Sequence, residues 1–309
     1  MNFVELNNYL IAKDSKSRVY RIEGKGNSLV VRWLSKGVSY LIKLYPTDIN
    51  WDRQGVEEYL YLCFNKMGIF NIPKLYWVDK KNNISCFEYI NERKTKINSS
   101  AIEVSIYEFI HSIMNKSNSK INIRHAKESF FSLKELICQI QIRIDNLKKL
   151  KIPELREHLI KIENELKKAK LPNIDAELLK KKIISPSDFG PHNLIQANSG
   201  EFYFFDFEYG GWDNLYKLLC DFYWHEGFDW SKKRRLLIIN KFLKNKIERN
   251  VFNIIKFYMG FKWALLVLNE FNPEIFEKRK AAKGYKFNYR LIKKQQLNKS
   301  KKILSLLNA

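Results

Sequence analysis

Asp188, Asn193 and Asp206 are three oxygen-bearing side chains set within a short stretch of chain. Asp188 follows the apolar pair Ile183-Ile184 and precedes Asn193 by five residues, and Asp206 lies eighteen residues beyond Asp188. Residues 193–196 and 202–207 are apolar runs joined by Ala-Asn-Ser-Gly-Glu, a pattern that predicts a β-hairpin with glycine in its loop. An Asp ahead of such a hairpin, an Asn at its start and an Asp at its end come to one edge of it. Phosphoryl transfer needs a set of this kind, with one carboxylate to orient the attacking hydroxyl and hard oxygen ligands for Mg2+. The Asp-x-x-x-x-Asn spacing by itself recurs by chance. Its coupling to an apolar hairpin ending in Asp-Phe-Glu-Tyr is the specific part.

The elements that must position these residues divide the chain in two. The first ninety residues are β-rich: residues 18–23, 28–33 and 38–45 are β-branched and aromatic runs punctuated at 24–27 and Gly37, as in an antiparallel meander. A helix over 52–67 follows, capped by Asp52 and closed by Gly68, and residues 72–78 and 84–90 read as two strands turned at 79–83. From about Ala101 the period becomes helical. Helices are predicted over 101–114, over 134–150, and from Pro153, where Leu155, Leu159, Ile162 and Leu166 share one face. The hairpin is the single predicted β interruption of this half, which is helical again from Lys217. The fold class is α+β, with a β-rich lobe over residues 1–93 and a helical lobe over 94–309.

Ser187-Asp-Phe-Gly-Pro-His-Asn193, followed by Phe204-Phe-Asp-Phe-Glu-Tyr-Gly-Gly-Trp-Asp213, resembles the aminoglycoside phosphotransferase and choline kinase family. Its Ser-Asp-Phe-Gly-x-His-Asn form resembles a bacterial subgroup of that family. The resemblance implies a two-lobed protein-kinase-like fold with an embedded catalytic hairpin, and transfer of the γ-phosphoryl group of ATP or GTP to a small-molecule hydroxyl. It implies Asp188 as the catalytic base and Asn193 and Asp206 as Mg2+ ligands. His192, Glu208 and Asp213 are then candidates to touch substrate or support the site, and Asp221 falls where a structural Asp is common. Pro186 departs from the pattern, because the family usually carries His there.

Lys43, late in the run Ser39-Tyr-Leu-Ile-Lys-Leu-Tyr45, is similar to the kinase strand lysine that grips the α- and β-phosphates. Glu57 on the next helix is its expected partner, with Glu58 the competitor. The phosphate-covering loop is expected over residues 13–18, where Ser15, Ser17 and backbone N–H groups would serve in the absence of glycine. Glu88-Tyr-Ile90 resembles the hinge that pairs with adenine, which puts Glu88 and Ile90 at the nucleotide. Residues 126–132 and 262–271 also resemble stretches of that subgroup, so the likeness extends over most of the chain.

Composition bounds the alternatives. With 309 residues, 45 % hydrophobic and 14 % aromatic, the chain is globular. No uncharged apolar run of about 18 residues is present, and residues 251–271, interrupted by Lys256, Lys262 and Glu270, read as a buried helix. The N-terminus lacks a signal-peptide pattern, and Cys63, Cys86, Cys138 and Cys220 lie far apart in apolar stretches, as buried free thiols of a cytoplasmic protein would. His111, His125, His158 and His225 are expected to be ordinary surface or packed residues. The net charge of +22 invites a nucleic-acid or membrane partner, but it is dispersed except over residues 278–302, which hold eleven Lys or Arg and no acid. That tail has no nucleic-acid reader motif, so a solvated or substrate-steering role is expected. Two rival readings are an inactive nucleotide-binding scaffold, suggested by Pro186 and the glycine-free loop, and a basic RNA- or membrane-surface binder. The acceptor (aminoglycoside, choline or ethanolamine, or sugar-like), ATP versus GTP, and the oligomeric state stay open in the sequence.

Overall fold

The computed structural model describes residues 1–22, 28–92, 100–117, 120–169, 172, 179, 182–228, 230–277 and 288–307. The punctuation at 24–27, the lobe boundary at 93/94 and residues 278–287 of the basic tail lie outside the described residues. β1 (Arg18–Arg21), β2 (Leu29–Ser35), β3 (Val38–Leu44), β4 (Leu75–Asp79) and β5 (Ile84–Glu88) form an antiparallel sheet in the order β1-β2-β3-β5-β4. The strand expected over 72–78 starts three residues later, beyond Pro73, which has no N–H for a ladder.

One element of this lobe is not legible in its residue types. Residues Phe3–Lys13 form a helix, α1, opened by a capping box in which Asn2 and Glu5 satisfy each other's backbone N–H. Its buried residues are Leu6 and Leu10, which close over Val31, Trp33, Ile42, Ile84 and Cys86 of the sheet. α2 (Arg53–Lys66) follows the prediction, with Asp52 capping Gly55 N–H and Gly68 leaving the helix at φ +65°. It buries Val56, Leu60, Tyr61 and Phe64 in the larger core that belongs mainly to the helical half. The helix that carries Glu57 is thereby anchored to both lobes.

The helical half contains α3 (Ser100–Lys116), α4 (Leu133–Lys148), α5 (Pro153–Lys168), α6 (Leu215–Trp224), α7 (Lys232–Ile239), α8 (Lys246–Leu266) and α9 (Tyr289–Ser305). Its β interruption is double, where a single hairpin was expected. β7 (Leu194–Gln196) and β8 (Phe202–Phe204) make the expected hairpin, while β6 (Lys182–Ser185) pairs with β9 (Gly211–Asn214). Four-residue strands, one of them reading Gly-Trp-Asp-Asn, are too short and too poor in β-branched residues to show an alternation. The two ladders clamp the loops at 186–193 and 205–210 from both sides.

α8 belongs to a stretch long and apolar enough to cross a membrane by length and composition. It is the expected buried helix, packed against α4, α6 and α9 with Phe252, Ile255, Met259 and Leu265 in the core. α9 buries Ser300, Ile303 and Leu304 and turns Arg290, Lys294, Lys299, Lys301 and Lys302 to solvent. Cys63, Cys86 and Cys220 are buried thiols, but Cys138 is exposed, because it lies on the outer face of α4 away from Leu136 and Ile140.

His158 joins α5 to α9. Its Nε2–H donates to Ser300 Oγ at 2.7 Å, and Ser300 Oγ–H donates on to the Ala264 carbonyl at 2.6 Å. Burial, helped by Lys301 and Lys161, pushes the imidazole down to about 4. The unfolded value is roughly 6.5, so the unfolded chain binds the extra proton first. The stabilisation is therefore complete above the unfolded value and is lost as pH falls towards the folded one. In urea unfolding at pH 7.5, His158→Ala should be less stable than the parent by about 2 kcal/mol. The gap should narrow as the pH is lowered to about 4.5.

Candidate active site

Register places Lys43 opposite Val30 on β2 and Ser85 on β5, near the end of β3. Its ammonium is buried against three carboxylates: Glu57 Oε2 at 2.7 Å, Asp206 Oδ1 at 2.5 Å and Glu208 Oε2 at 3.1 Å. Glu57 is the partner and Glu58 is not, since Glu58 lies at the surface beside Lys80. Glu57 also accepts from Tyr45 Oη at 2.7 Å and, through its other oxygen, from Phe207 N–H at 3.0 Å. Both oxygens of Glu208 are engaged: Ser28 Oγ donates to one at 3.0 Å and Arg53 Nη1 to the other at 2.8 Å. Trp51 Nε1–H adds a bond to the Glu208 carbonyl at 2.7 Å.

Three carboxylates thus face one ammonium and one guanidinium, a surplus of one negative charge. Burial, opposed by Lys43 and reinforced by Glu208 and Glu57, pushes the Asp206 carboxyl up to about 7. For Glu208, burial is outweighed by Lys43 and Arg53, which hold it below the usual carboxylate range. For Lys43, burial is outweighed by Asp206, Glu208 and Glu57, which raise it well above an ordinary lysine. Asp206 has φ +67° and Ser187 φ +65°, left-handed conformations that non-glycine residues adopt at a cost. Both strained residues lie in the two clamped loops.

Asp188 and Asn193 join the same centre through the backbone. Asn193 Nδ2 donates to the Asp188 carbonyl at 3.0 Å, and the Asn193 carbonyl accepts Phe205 N–H at 3.1 Å, one residue before Asp206. With Nδ2 so engaged, the amide oxygen is the atom left for a cation. The oxygens of Asn193 and Asp206, together with the surplus negative charge beside them, suit a hard divalent cation such as Mg2+. Asp188 keeps a side chain 39 % exposed, with His192 Nε2 3.2 Å from Oδ2 and His225 Nε2 4.0 Å from Oδ1. Burial alone would raise its carboxyl, but the hydrogen bond and charge of His192, with His225 and Lys217, hold it below the usual range.

Lys217, which nothing in the motif signals, supports this loop from beneath. It is buried 3.0 Å from Asp213 Oδ2 and 2.9 Å from Asp221 Oδ2, and it reaches Ser187 Oγ at 3.4 Å. Asp221 also accepts from Trp263 Nε1 at 3.0 Å. Asp213 is fully buried on β9 and pushed up to about 6 by that burial against the pull of Lys217. It is therefore framework, out of reach of a substrate. His225, expected to be ordinary, stands beside Asp188; thirty-six residues of intervening sequence hide that proximity.

Two expected positions lie elsewhere. Ser15 and Ser17 belong to the turn between α1 and β1, not to a loop between strands. Asp14 of that turn accepts from Ser35 Oγ at 2.6 Å, at the β2–β3 turn. Arg18 pairs with Leu34, four residues along β2 from the Val30 that faces Lys43, or roughly 13 Å. The phosphate-loop assignment of Ser15 and Ser17 is therefore corrected; the β1–β2 connection runs through residues 23–27, outside the described residues. Glu88 closes β5, and its N–H is taken by the Lys74 carbonyl at 2.7 Å. Ile90 follows, half-buried, on the segment that leads to a bridge between Glu92 and Ala197.

No protein-family model and no curated protein matches the sequence. Solved structures do match in fold. The choline kinase LicA from Streptococcus pneumoniae is 16 % identical over 98 % of both chains with a TM-score of 0.60. A choline/ethanolamine kinase family protein from Mesorhizobium loti is 16 % identical over 98 % of this chain and 95 % of its own, with a TM-score of 0.61. The aminoglycoside phosphotransferase APH(4)-Ia, solved in a ternary complex with ADP and hygromycin B, is 10 % identical over 97 % and 98 % with a TM-score of 0.61. The chain therefore has the two-lobed α+β fold of these kinases over nearly its whole length, as the sequence resemblance implied.

Removing the ammonium under the loop leaves Asp213 and Asp221 buried without compensation. Lys217→Met should cost roughly 3–5 kcal/mol of unfolding free energy in denaturant titration. Lys294→Met on the exposed face of α9 should stay within about 0.5 kcal/mol of the parent.

Proposed function

We propose that this chain is a phosphotransferase that moves the γ-phosphoryl group of ATP, or GTP, to a hydroxyl of a small molecule. The observation that carries this reading is the convergence of Lys43, Glu57 and Asp206 on one centre, with Asn193 and Asp188 tied to it by hydrogen bonds. A lysine clamped by acids on two other elements suits the gripping of nucleotide phosphates, and an exposed carboxylate nearby suits the orienting of a hydroxyl. The ADP complex of a structure with the same fold supports a nucleotide in the cleft. Family likeness supports an acceptor of the aminoglycoside, choline or ethanolamine, or sugar type. We place the lobe boundary at 93/94, with the nucleotide between the lobes and Glu88 and Ile90 on the connecting segment.

In this reading Lys43 holds the α- and β-phosphates, and Glu57 keeps the lysine aimed. Asn193 and Asp206 would hold Mg2+, which when bound neutralises charge on the phosphates. Glu208 braces Lys43 and Arg53 and acts through them, since both its oxygens are engaged. Asp188 orients the acceptor hydroxyl and takes its proton. Pro186 removes an imidazole from the loop but leaves Asp188 exposed and flanked by His192 and His225.

ADP release over a panel of small alcohols, amino alcohols and sugars, with ATP and with GTP, tests the assignment. Asp188→Asn should lose about 10²–10⁴-fold in turnover while binding a fluorescent ATP analogue within about threefold of the parent. Asp206→Asn should lose the Mg2+-dependent part of that binding. Parental turnover in Asp188→Asn would sink the reading.

A further inference from the structure

His225 stands beside Asp188 without a part in the reaction so far described. It caps α6, and its ring packs edge-to-face on Trp263 and Phe228 with centroids 5.3 and 5.8 Å away. Arg235 ties down the carbonyls around it. Itself buried, it donates to the carbonyls of His225, Tyr223, Phe228 and Trp230 at 2.6–3.0 Å. Two glycines make room for the ring. A Cβ on Gly190 would lie 2.4 Å from His225 Nε2 and 2.6 Å from the His192 ring, and one on Gly227 would lie 2.9 Å from His225 Cε1.

The protonation of the ring follows from one hydrogen bond. Gly227 N–H donates to His225 Nδ1 at 3.0 Å. A backbone N–H can only donate, so Nδ1 carries the lone pair and the ring proton sits on Nε2. Burial is the main force pushing the imidazole down to about 4, so near neutral pH it is uncharged with a single N–H. That N–H is on the atom that faces Asp188 Oδ1. The ligand atoms of Asp188, His192 and His225 lie within 4.8 Å of one another, as they would in a transition-metal site. The tautomer argues against that use, because a metal would need the Nε2 lone pair.

The 4.0 Å between His225 Nε2 and Asp188 Oδ1 is too long for a direct hydrogen bond. It fits one oxygen between them, about 2.9 Å from the nitrogen and about 2.7 Å from the carboxylate. We propose that this oxygen is the acceptor hydroxyl, donating to Asp188 Oδ1 and accepting from His225 Nε2–H. The reacting atom is then held by a donor and an acceptor, with its remaining lone pair free to attack. In the transfer, the bond from that oxygen to Pγ forms and the bond from Pγ to the β-bridging oxygen breaks, its electron pair leaving on ADP. The hydroxyl proton goes to Asp188 Oδ1, and His225 keeps its own. His225 is on this account a catalytic residue, because it touches the reacting oxygen. The assignment rests on the phosphotransfer reading above.

Two measurements test it. Long-range 15N–1H correlation on histidine-labelled parent protein, without ligand, should show His225 as the Nε2–H tautomer. ADP release from Mg·ATP, with water and then glycerol as the hydroxyl, should fall 10- to 100-fold in kcat for His225→Ala with KM for ATP within twofold. His225→Gln, which retains an amide donor, should recover at least a fifth of parental kcat, and melting curves would check that both variants fold. A structural role alone would lower stability and alter both kinetic constants, with no rescue by Gln. An Nδ1–H tautomer, or parental kcat in His225→Ala, would overturn the role of His225 and leave phosphotransfer standing. Parent protein that shows neither Mg2+-dependent nucleotide binding nor turnover would overturn the phosphotransfer reading, and this proposal with it.

Discussion

The structure turns on the burial of the Lys43 ammonium among Glu57, Asp206 and Glu208. A cation taken out of water is costly, and the cost is offset only by close, well-placed anions. Here the anions come from α2 and from the loop after β8, so satisfying one lysine on β3 fixes the helix and that loop against the sheet. Ser28, Trp51 and Arg53 bind the same loop from the N-terminal half. The lobes are thus joined by polar groups that have to be paired wherever they are buried, while α2 shares the apolar core of the helical half. The surplus carboxylate charge at the junction suits a cation there.

A second buried lysine performs the matching task on the other side of the cleft. Lys217 reconciles Asp213 and Asp221, one on β9 and one a turn further along α6, and touches the loop that presents Asp188. A third, Lys262 on α8, reaches the Glu128 carbonyl at 3.1 Å and Gln139 Oε1 at 2.6 Å, and Arg143 closes on the Glu128 carboxylate. Each of these cations holds a loop to a helix. The net positive charge of the chain is dispersed, yet the cations that matter to the site are the buried ones, and composition does not distinguish them from those exposed on α9.

Much of the site was readable because its residues are close in sequence and sit on a regular element. Asp188, Asn193 and Asp206 bracket a hairpin whose alternation and glycine-bearing loop are local signals, and α2 announces itself through Asp52 and Gly68. What escaped had little local signal. α1 buries Leu6 and Leu10 fully, packs Phe3 and Tyr9 at the edge of that core, and depends on a capping box for its start. β6 and β9 are too short for a period. The small polar residues Ser15 and Ser17 suggest a phosphate-binding turn, whereas the register of β1 on β2 carries that turn to the far end of the sheet.

The sequence by itself determined the division into a β-rich and a helical half, the hairpin and the spacing of three oxygen-bearing side chains around it, because hydrophobic period, turn residues and short spacing act through neighbouring residues. Tertiary structure decided which charges meet. It chose Glu57 over Glu58, placed Asp213 in the framework under Lys217, committed Glu208 to Arg53, and brought His225 to Asp188. Those choices depend on how a helix is rotated and where a ladder is in register, and on the cost of burying any charge without a partner. None of these is written in the order of the residues around each side chain.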